Sequence, residues 1–451
     1  MLKNLDRRRF IQTSAAIGAG LYVSEKAMGA DTSKKDVINI ALLGAGVQGQ
    51  VLMDAVLKMK SPNIRFVAVC DIWEWNRMIV KGRMKSYSEH YGYRYADYVD
   101  YKEMLDTEKD LDAVIVATPD FWHSEHTCAC LEKGLHVYCE KEMSNTVEGA
   151  KKMVESQKSS GKLLQIGHQR RSNPRYRHCY DTLIQEAELI GRITTINGQW
   201  NRSMASCEDL GWPEGEDIDE PTLNKYGFKN MLQFRNWRWY KGLGGGPIVD
   251  LGSHQIDIYS WFLGCNPKSV IASGGVDYWK GHEWYDTVMA IYEYQTKAGP
   301  VRAFYQTGTT NSAGGYFESF MGDEGTLTIS ESAGRGSVYK EGWVEEAKWD
   351  QWVQEGYIRK SEGGPVVKGD AEAVLDIREG TYAPDEYTIP VSMNVPYHQP
   401  HLMNFFNAIR GTETLNCPAE IGYETAVTVL KVNEAVAKNC RLEFKPEDFH
   451  I

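Results

Sequence analysis

The sequence predicts an α/β fold in its N-terminal half, a Rossmann domain on a doubly wound parallel sheet, joined to a second domain that also carries strands. Three observations predict it. The turn Gly44-Ala45-Gly46-Val47-Gln48-Gly49 follows an apolar run and opens a helical pattern. Short apolar runs then alternate with helical stretches to about residue 166, the rhythm of parallel strands joined by crossover helices. A length of 451 residues is too great for one ordinary core and suits two.

Residues 37–43 are apolar except for Asn39, the pattern of a strand buried on both faces. The turn after it is G-x-G-x-x-G in its required setting, between that strand and a helix over 51–59. Gly44 permits the tight turn, Gly46 lets backbone N–H groups approach a pyrophosphate, and Gly49 lets helix and strand pack closely. With Val47 and Gln48 they form the expected anion cradle at a helix N-terminus. A second strand, 65–70, ends at Asp71, 22 residues past Gly49. A carboxylate there accepts hydrogen bonds from the adenosine ribose and repels a 2′-phosphate, which favours NAD over NADP; Arg77 nearby softens that preference. The strand at 112–117 ends at Thr118-Pro119, and ligands bind at the carboxyl ends of such strands, so residues 118–123, with Trp122 and His123, should border the cofactor. A helix over 125–133 with Gly134 as its C-cap, a strand 136–139 ending in Glu140-Lys141-Glu142, a helix capped by Ser144 and running to 157, and a strand 163–166 complete a dinucleotide half assigned to 31–166.

Bulk properties narrow the function. Hydrophobic residues make up 42% and charged residues 25%, the composition of a soluble globular protein. A formal net charge of -11 argues against nucleic acid as a partner. The 13 Trp and 25 Tyr exceed what the core needs; most are packing, and those facing a cleft suit the C–H faces of sugar rings. Nine Cys without a CxxC pair, with Cys128 and Cys130 on different faces of a helix, read as free thiols and give no zinc site. His398 and His401 are separated by Pro400 and have no acid ligand beside them, so no metal is expected.

The first thirty residues read as an address. Asp6-Arg7-Arg8-Arg9-Phe10 precedes an apolar, Gly- and Ala-rich stretch over 11–23 and then Ala27-Met28-Gly29-Ala30. The stretch is too short to span a bilayer, and the paired arginines resemble a twin-arginine export signal. The mature chain is expected to start near Asp31 and to reside in the periplasm, with the export machinery as a transient partner and no stable membrane span.

Taken in order, these motifs resemble the Gfo/Idh/MocA oxidoreductase family across nearly all of the mature chain. They are the glycine turn with Asp71, Ala117-Thr118-Pro119 with His123, Glu140-Lys141, the run from Gly167 through Gln169 to Pro174, and Gly244-Gly245-Gly246 leading into D-x-G-x-H-x-x-D at Asp250, Gly252, His254 and Asp257. The family reads Glu-Lys-Pro where this chain has Glu142. The resemblance implies that the second domain, 167–396, is α+β with an open, mostly antiparallel sheet. One face would shield a nicotinamide and the other would serve a homo-oligomer. Strand-like runs at 194–200, 270–272, 287–294, 301–307 and 325–330 supply its strands, and residues 397–451 would pack as helices near the domain junction. Two stretches, 202–240 and 333–390, look inserted and read as loops that wall a cleft.

Oxidising a carbinol takes a hydride acceptor, a base for the hydroxyl proton, and positive charge beside the forming alkoxide. By resemblance, His254 is the proton acceptor and donor, Asp250 positions the substrate hydroxyl or the histidine, and Lys141 supplies charge to cofactor and substrate. Asp250 and His254 are four apart, one face of a helix turn. Glu140 and Gln169 are expected to touch the cofactor, and Arg171, Tyr176, Trp237 and Arg238 the substrate. Three functions follow. The first is a sugar, glycoside or polyol oxidoreductase with tightly bound NAD(P), since an exported enzyme cannot draw on the cytoplasmic pool. The second resembles the family's NAD-dependent glycosidases, in which transient oxidation enables elimination and an extra base is needed; Glu142 is a candidate. The third is a non-catalytic carbohydrate-binding or sensing protein.

Overall fold

The computed structural model describes residues 37–332, 334–361 and 384–451. The signal assigned to residues 1–30 lies outside them. Six strands, β1 (Ile38–Leu43), β2 (Ile64–Cys70), β3 (Ala96–Tyr98), β4 (Ala113–Val116), β5 (His136–Cys139) and β6 (Leu164–Ile166), form one sheet in the order β3-β2-β1-β4-β5-β6. Every pairing in it is parallel, so the sheet is a Rossmann sheet whose strand order reverses at β1 and β4. β4 is wholly buried and β1 nearly so, as their unbroken apolar runs require.

The helix after β1 is Val47–Leu57 and begins at the glycine turn itself. A Cβ on Gly49 would sit 2.0 Å from the Gly44 carbonyl oxygen, so only glycine lets the helix lie this close to the strand end. Residues 74–107, which carry no clear periodic signal, form the helices Glu74–Tyr91 and Tyr101–Thr107 around β3. Thr146, and not Ser144, caps the helix Val147–Ser160, its hydroxyl accepting from Gly149 N at 3.1 Å.

The second sheet has ten strands: β7 (Ile193–Asn201), β8 (Pro267–Gly275), β9 (Thr287–Thr296), β10 (Gly299–Gly308), β11 (Tyr316–Gly322), β12 (Gly325–Ile329), β13 (Val338–Lys340), β14 (Arg359–Lys360), β15 (Asp385–Thr388) and β16 (Leu442–Glu443). Their order is β14-β15-β13-β12-β11-β7-β10-β9-β8-β16, and only the β7–β10 pairing is parallel. Alternate residues of β9, from Val288 to Tyr294, are buried, while Met289 and Ile291 stand exposed on the other face. Of the stretch 333–390, the described residues do not line the cavity reported below: they add β13, β14 and β15 to the sheet edge and pack the helix Glu346–Gln354 through buried Trp349. The helix Gln399–Ile409 packs on Val47–Leu57, and Ala419–Lys438 packs on Val147–Ser160, Gly252–Leu263 and β8, so the tail ties both sheets together. Among the described residues no helix is long and apolar enough to cross a membrane.

A buried ionic network fixes the segment that leads from one sheet to the other. Arg170 bonds Glu331 through Nε at 2.9 Å and Glu318 through Nη1, and Tyr176 donates to the same Glu318 at 2.7 Å. All four side chains are buried. Arg171 forms a two-pronged pair with Asp257, which also accepts from Thr425 at 2.9 Å. Removing one partner of such a network strands the other charges in a dry interior. Arg170→Met is therefore expected to lower unfolding free energy by about 3–5 kcal/mol, read from urea midpoints at constant pH. A midpoint equal to wild type would refute the assignment.

Candidate active site at the junction of the sheets

A cavity of about 640 Å³ opens at the carboxyl ends of β1, β2, β4 and β5 and is closed by elements of the second sheet. Its nucleotide-side wall is the glycine turn. Gly44 adopts φ +93°, and a Cβ there would strike the Ala117 carbonyl at 2.6 Å, whereas one on Gly46 would meet nothing within 4 Å. The space over Gly46 is thus open, and the first-turn N–H groups at Val47 and Gln48 have no intrahelical acceptor. Asp71 lines the same groove; its carboxylate takes Ala45 N at 2.7 Å, Trp73 N at 2.8 Å and Asn76 Nδ2 at 3.2 Å. Oδ2 accepts two of these donors and Oδ1 one, so Oδ1 retains room for one more. An open anion cradle followed by a carboxylate fits a dinucleotide phosphate and ribose.

Thr118, Pro119 and Trp122 also line the cavity, with Trp122 stacked on His126 at 4.9 Å. His123 does not: it is buried, its ring nitrogens bridging the Thr118 carbonyl (2.7 Å) and the Glu142 carbonyl (2.7 Å), so it braces the two cofactor-side loops. Gly49 likewise acts behind the wall. Glu140 and Gln169 reach the cavity, Glu140 accepting from Gln48 Nε2 at 3.2 Å and Gln169 donating to Glu331 at 3.2 Å.

Lys141, Asp250 and His254 converge on this cavity from two halves of the chain. Lys141 Nζ donates to the Asp250 carbonyl at 2.5 Å and to its Oδ1 at 3.3 Å, and Arg238 Nε donates to the same Oδ1 at 3.1 Å. Burial would raise the Asp250 carboxyl, but Lys141, Arg238 and Arg202 outweigh it and hold the group well below the usual carboxylate range. The two residues are not on one helix face, because Leu251 separates the helix Gly246–Asp250 from Gly252–Leu263. His254 sits in the first turn of the second helix, buried, with Nδ1 lacking a partner. Burial first, then Lys141 and Arg170, keep its imidazole neutral, far below the ordinary histidine value. Its ring lies 5.4 Å from Trp200, which stacks on Tyr316 at 4.6 Å.

Among the residues expected to meet substrate, Trp237 and Arg238 line the cavity, the guanidinium 4.3 Å above the indole. Arg171 and Tyr176 do not, because Asp257 and Glu318 hold them in the core. Glu331 and His398 line it unforeseen, while Asp120 and Arg202, not singled out by the sequence, fall within the stretches 118–123 and 202–240 expected to border it. For Asp120 a signal existed: an acid in the first helical position after a buried strand that ends at the ligand edge.

The stretch 202–240 walls the cavity and crosses to the nucleotide half. Trp73 Nε1 donates to the Glu216 carbonyl (2.7 Å), Trp122 Nε1 to that of Tyr226 (3.1 Å), and Lys225 pairs with Asp100 (3.1 Å). Ile218, Leu223, Phe228 and Met231 bury their side chains in one apolar cluster with Trp73. All nine cysteines are free. No cluster of three or more His, Cys, Asp or Glu side chains suited to a metal occurs among the described residues.

Comparison with known proteins follows the same two halves. Residues 38–168 match the Gfo/Idh/MocA model described as an oxidoreductase family, NAD-binding Rossmann fold, and residues 189–442 match its C-terminal alpha/beta domain. The chain is 27% identical to scyllo-inositol 2-dehydrogenase (NADP(+)) of Bacillus subtilis (strain 168), over 53% of this chain and 55% of that protein. It is 29% identical to D-glucoside 3-dehydrogenase of Escherichia coli (strain K12), over 50% and 54% respectively. It thus spans about half the length of these curated relatives. In fold it is similar to the WlbA dehydrogenase from Bordetella pertussis, solved with NADH and UDP-GlcNAcA (TM-score 0.65, 16% identity, 91% of this chain and 99% of that one). It is also similar to levoglucosan dehydrogenase in complex with NADH and levoglucosan (TM-score 0.64, 18% identity, 90% and 99%).

Behind Lys141, the bond to Glu142 is cis. Glu142 is 1% exposed; Oε1 accepts from Met143 N at 2.8 Å and Oε2 is buried without a partner. Burial pushes its carboxyl up to about 8 from an ordinary 4.5. Between those values the native chain keeps a proton that the unfolded chain releases, so this group makes stability fall as pH rises from about 4.5 to about 8. Glu142→Gln is expected to flatten that slope in urea midpoints taken across the window. Parallel slopes for variant and wild type would show that the carboxyl titrates normally.

Proposed function

Because the chain belongs to the Gfo/Idh/MocA oxidoreductase family, we propose that it oxidises or reduces a sugar, glycoside or related polyol by hydride transfer with NAD(P). One observation carries the reading: Lys141, Asp250 and His254 share a cavity with the open turn at Gly46 and with Thr118. A bound nicotinamide would supply the hydride acceptor and donor. The chain's own groups do the rest. Neutral His254 takes the hydroxyl proton, as a buried imidazole with a free ring nitrogen can. The Lys141 ammonium, steered by both oxygens of Asp250 it touches, faces the oxygen that gains negative charge. Arg238 shares Asp250 and, with Trp237, offers a hydrogen-bonding and stacking edge for a ring. The dehydrogenase names of the relatives support a carbinol substrate.

NAD is the preferred cofactor in this proposal, because Asp71 lines the groove at the end of β2, where a ribose hydroxyl would meet it, and Arg77 is tied to the Asp71 carbonyl (2.7 Å) and Asp97 (3.4 Å). The segment crossing from residue 202 to 240 supports tight retention. The signal-like residues 1–30 support export to the periplasm, and the exposed Ile271, Met289 and Ile291 on the outer sheet face support a homo-oligomer.

Denaturing the purified protein and identifying the released nucleotide tests the cofactor: about one NAD per chain is expected, and none would overturn tight retention. His254→Asn is expected to lower kcat by about 10²–10⁴-fold on an active member of a glycoside and inositol panel, with nucleotide content unchanged. Unaltered turnover would remove His254 from the reaction.

A further inference from the structure

We propose that Asp120 is a second proton-transfer residue of this site, taking the proton from the carbon beside a newly formed ketone and so opening a glycoside to elimination. The proposal rests on the carbinol-oxidising reading above. Asp120 opens the helix Asp120–Glu132 directly after β4, lines the cavity, and is 5% exposed. It comes from the nucleotide half, whereas His254 comes from the substrate half.

What distinguishes it is the lack of a partner. The other buried or half-buried acids of the cavity are engaged: Asp71 by three N–H groups, Glu140 by Gln48, Asp250 by Lys141 and Arg238, and Glu331 by Arg170. Glu208 is open to solvent. Among the described residues Asp120 has neither a hydrogen bond nor an ion pair to its carboxylate, and the helix it opens has no side-chain cap. A residue placed there only to offset the helix dipole would stay ionised and solvated or hydrogen-bonded. Here burial dominates, against Lys141 and Arg238 and reinforced by Asp250 and Glu140, and it lifts the carboxyl to about 7. A base poised near neutrality, facing a cavity and bonded to nothing, is free to accept a proton. Glu142, the acid that the sequence offered for this role, is shut behind Lys141 and does not reach the cavity.

The chemistry balances without a further oxidant. Once a carbinol has become a ketone, the C–H bond on the adjacent carbon breaks, its proton goes to Asp120, and the electron pair moves onto the ketone oxygen near Lys141. If the next carbon bears the glycosidic oxygen, that C–O bond breaks, the oxygen leaves with the pair, and water supplies its proton. The substrate class is then a glycoside oxidised two carbons from the anomeric centre.

The test starts from ketone, so it does not depend on hydride transfer. Holoenzyme is given a 3-keto-glucoside in D₂O, and deuterium entry at C2 and release of the aglycone are followed by NMR. Wild type is expected to exchange at least about 100-fold faster than buffer, rising with pH through about 7. Asp120→Asn is expected to lose that rate and its pH dependence, and Asp120→Glu to regain part of both. Absence of both exchange and aglycone release with wild type, or a flat pH profile for both, overturns the proposal even if the Asn variant fails to fold; so do wild-type rates in a folded Asp120→Asn. Exchange from ketone with no oxidation of the parent glycoside would instead sink the hydride reading while leaving Asp120 as the base.

Discussion

The site depends on a single charge pair. Lys141 comes from the end of β5 in the parallel sheet, and Asp250 from the last turn of a short helix in the other half, 109 residues later. The ammonium touches both the backbone and the side chain of Asp250, so the contact fixes position as well as charge. Buried ion pairs contribute little net stability unless their geometry is good and their remaining donors are met. This one gains Arg238 as a third member, and the carboxylate stays ionised because these two cations, with Arg202 nearby, outweigh its burial. His254 then sits four residues on, deprived of charge by burial. The pairing therefore sets the distance between the open groove over Gly46 and a neutral imidazole.

Much of this was legible in the sequence, for a physical reason. Glycine turns, unbroken apolar strands and residues at strand ends are local signals, so β1, β4, β5 and the cradle at Gly44–Gly46 could be read directly. The family resemblance carried Lys141, Asp250 and His254, whose meeting no local pattern reveals. What escaped depends on contacts far along the chain. Arg171 and Tyr176 look like ligands until Asp257 and Glu318 are seen to hold them, 86 and 142 residues away. Residues 333–390 look like a loop because β13 and β15 are only 3 and 4 residues long and become strands by pairing with each other. The break at Leu251 undid a helix-face argument that spacing alone appeared to license.

The second sheet does more than present a wall. Its ordered edge and the Arg170 network anchor the segment bearing Gln169, so the substrate side inherits the rigidity of a packed core. The aromatic stack of Trp200 and Tyr316 carries that order up to His254.

The strap formed by residues 202–240 has a kinetic consequence. Pinned to Trp73, Asp100 and Trp122, it lies where a dinucleotide would have to come and go. Were the nucleotide of the proposed reaction retained beneath it, turnover would require a second carbohydrate to enter by the mouth the first has left and to reverse the transfer. Donor and acceptor would then bind in alternation to one pocket, which is ping-pong behaviour, with each competing against the other at high concentration.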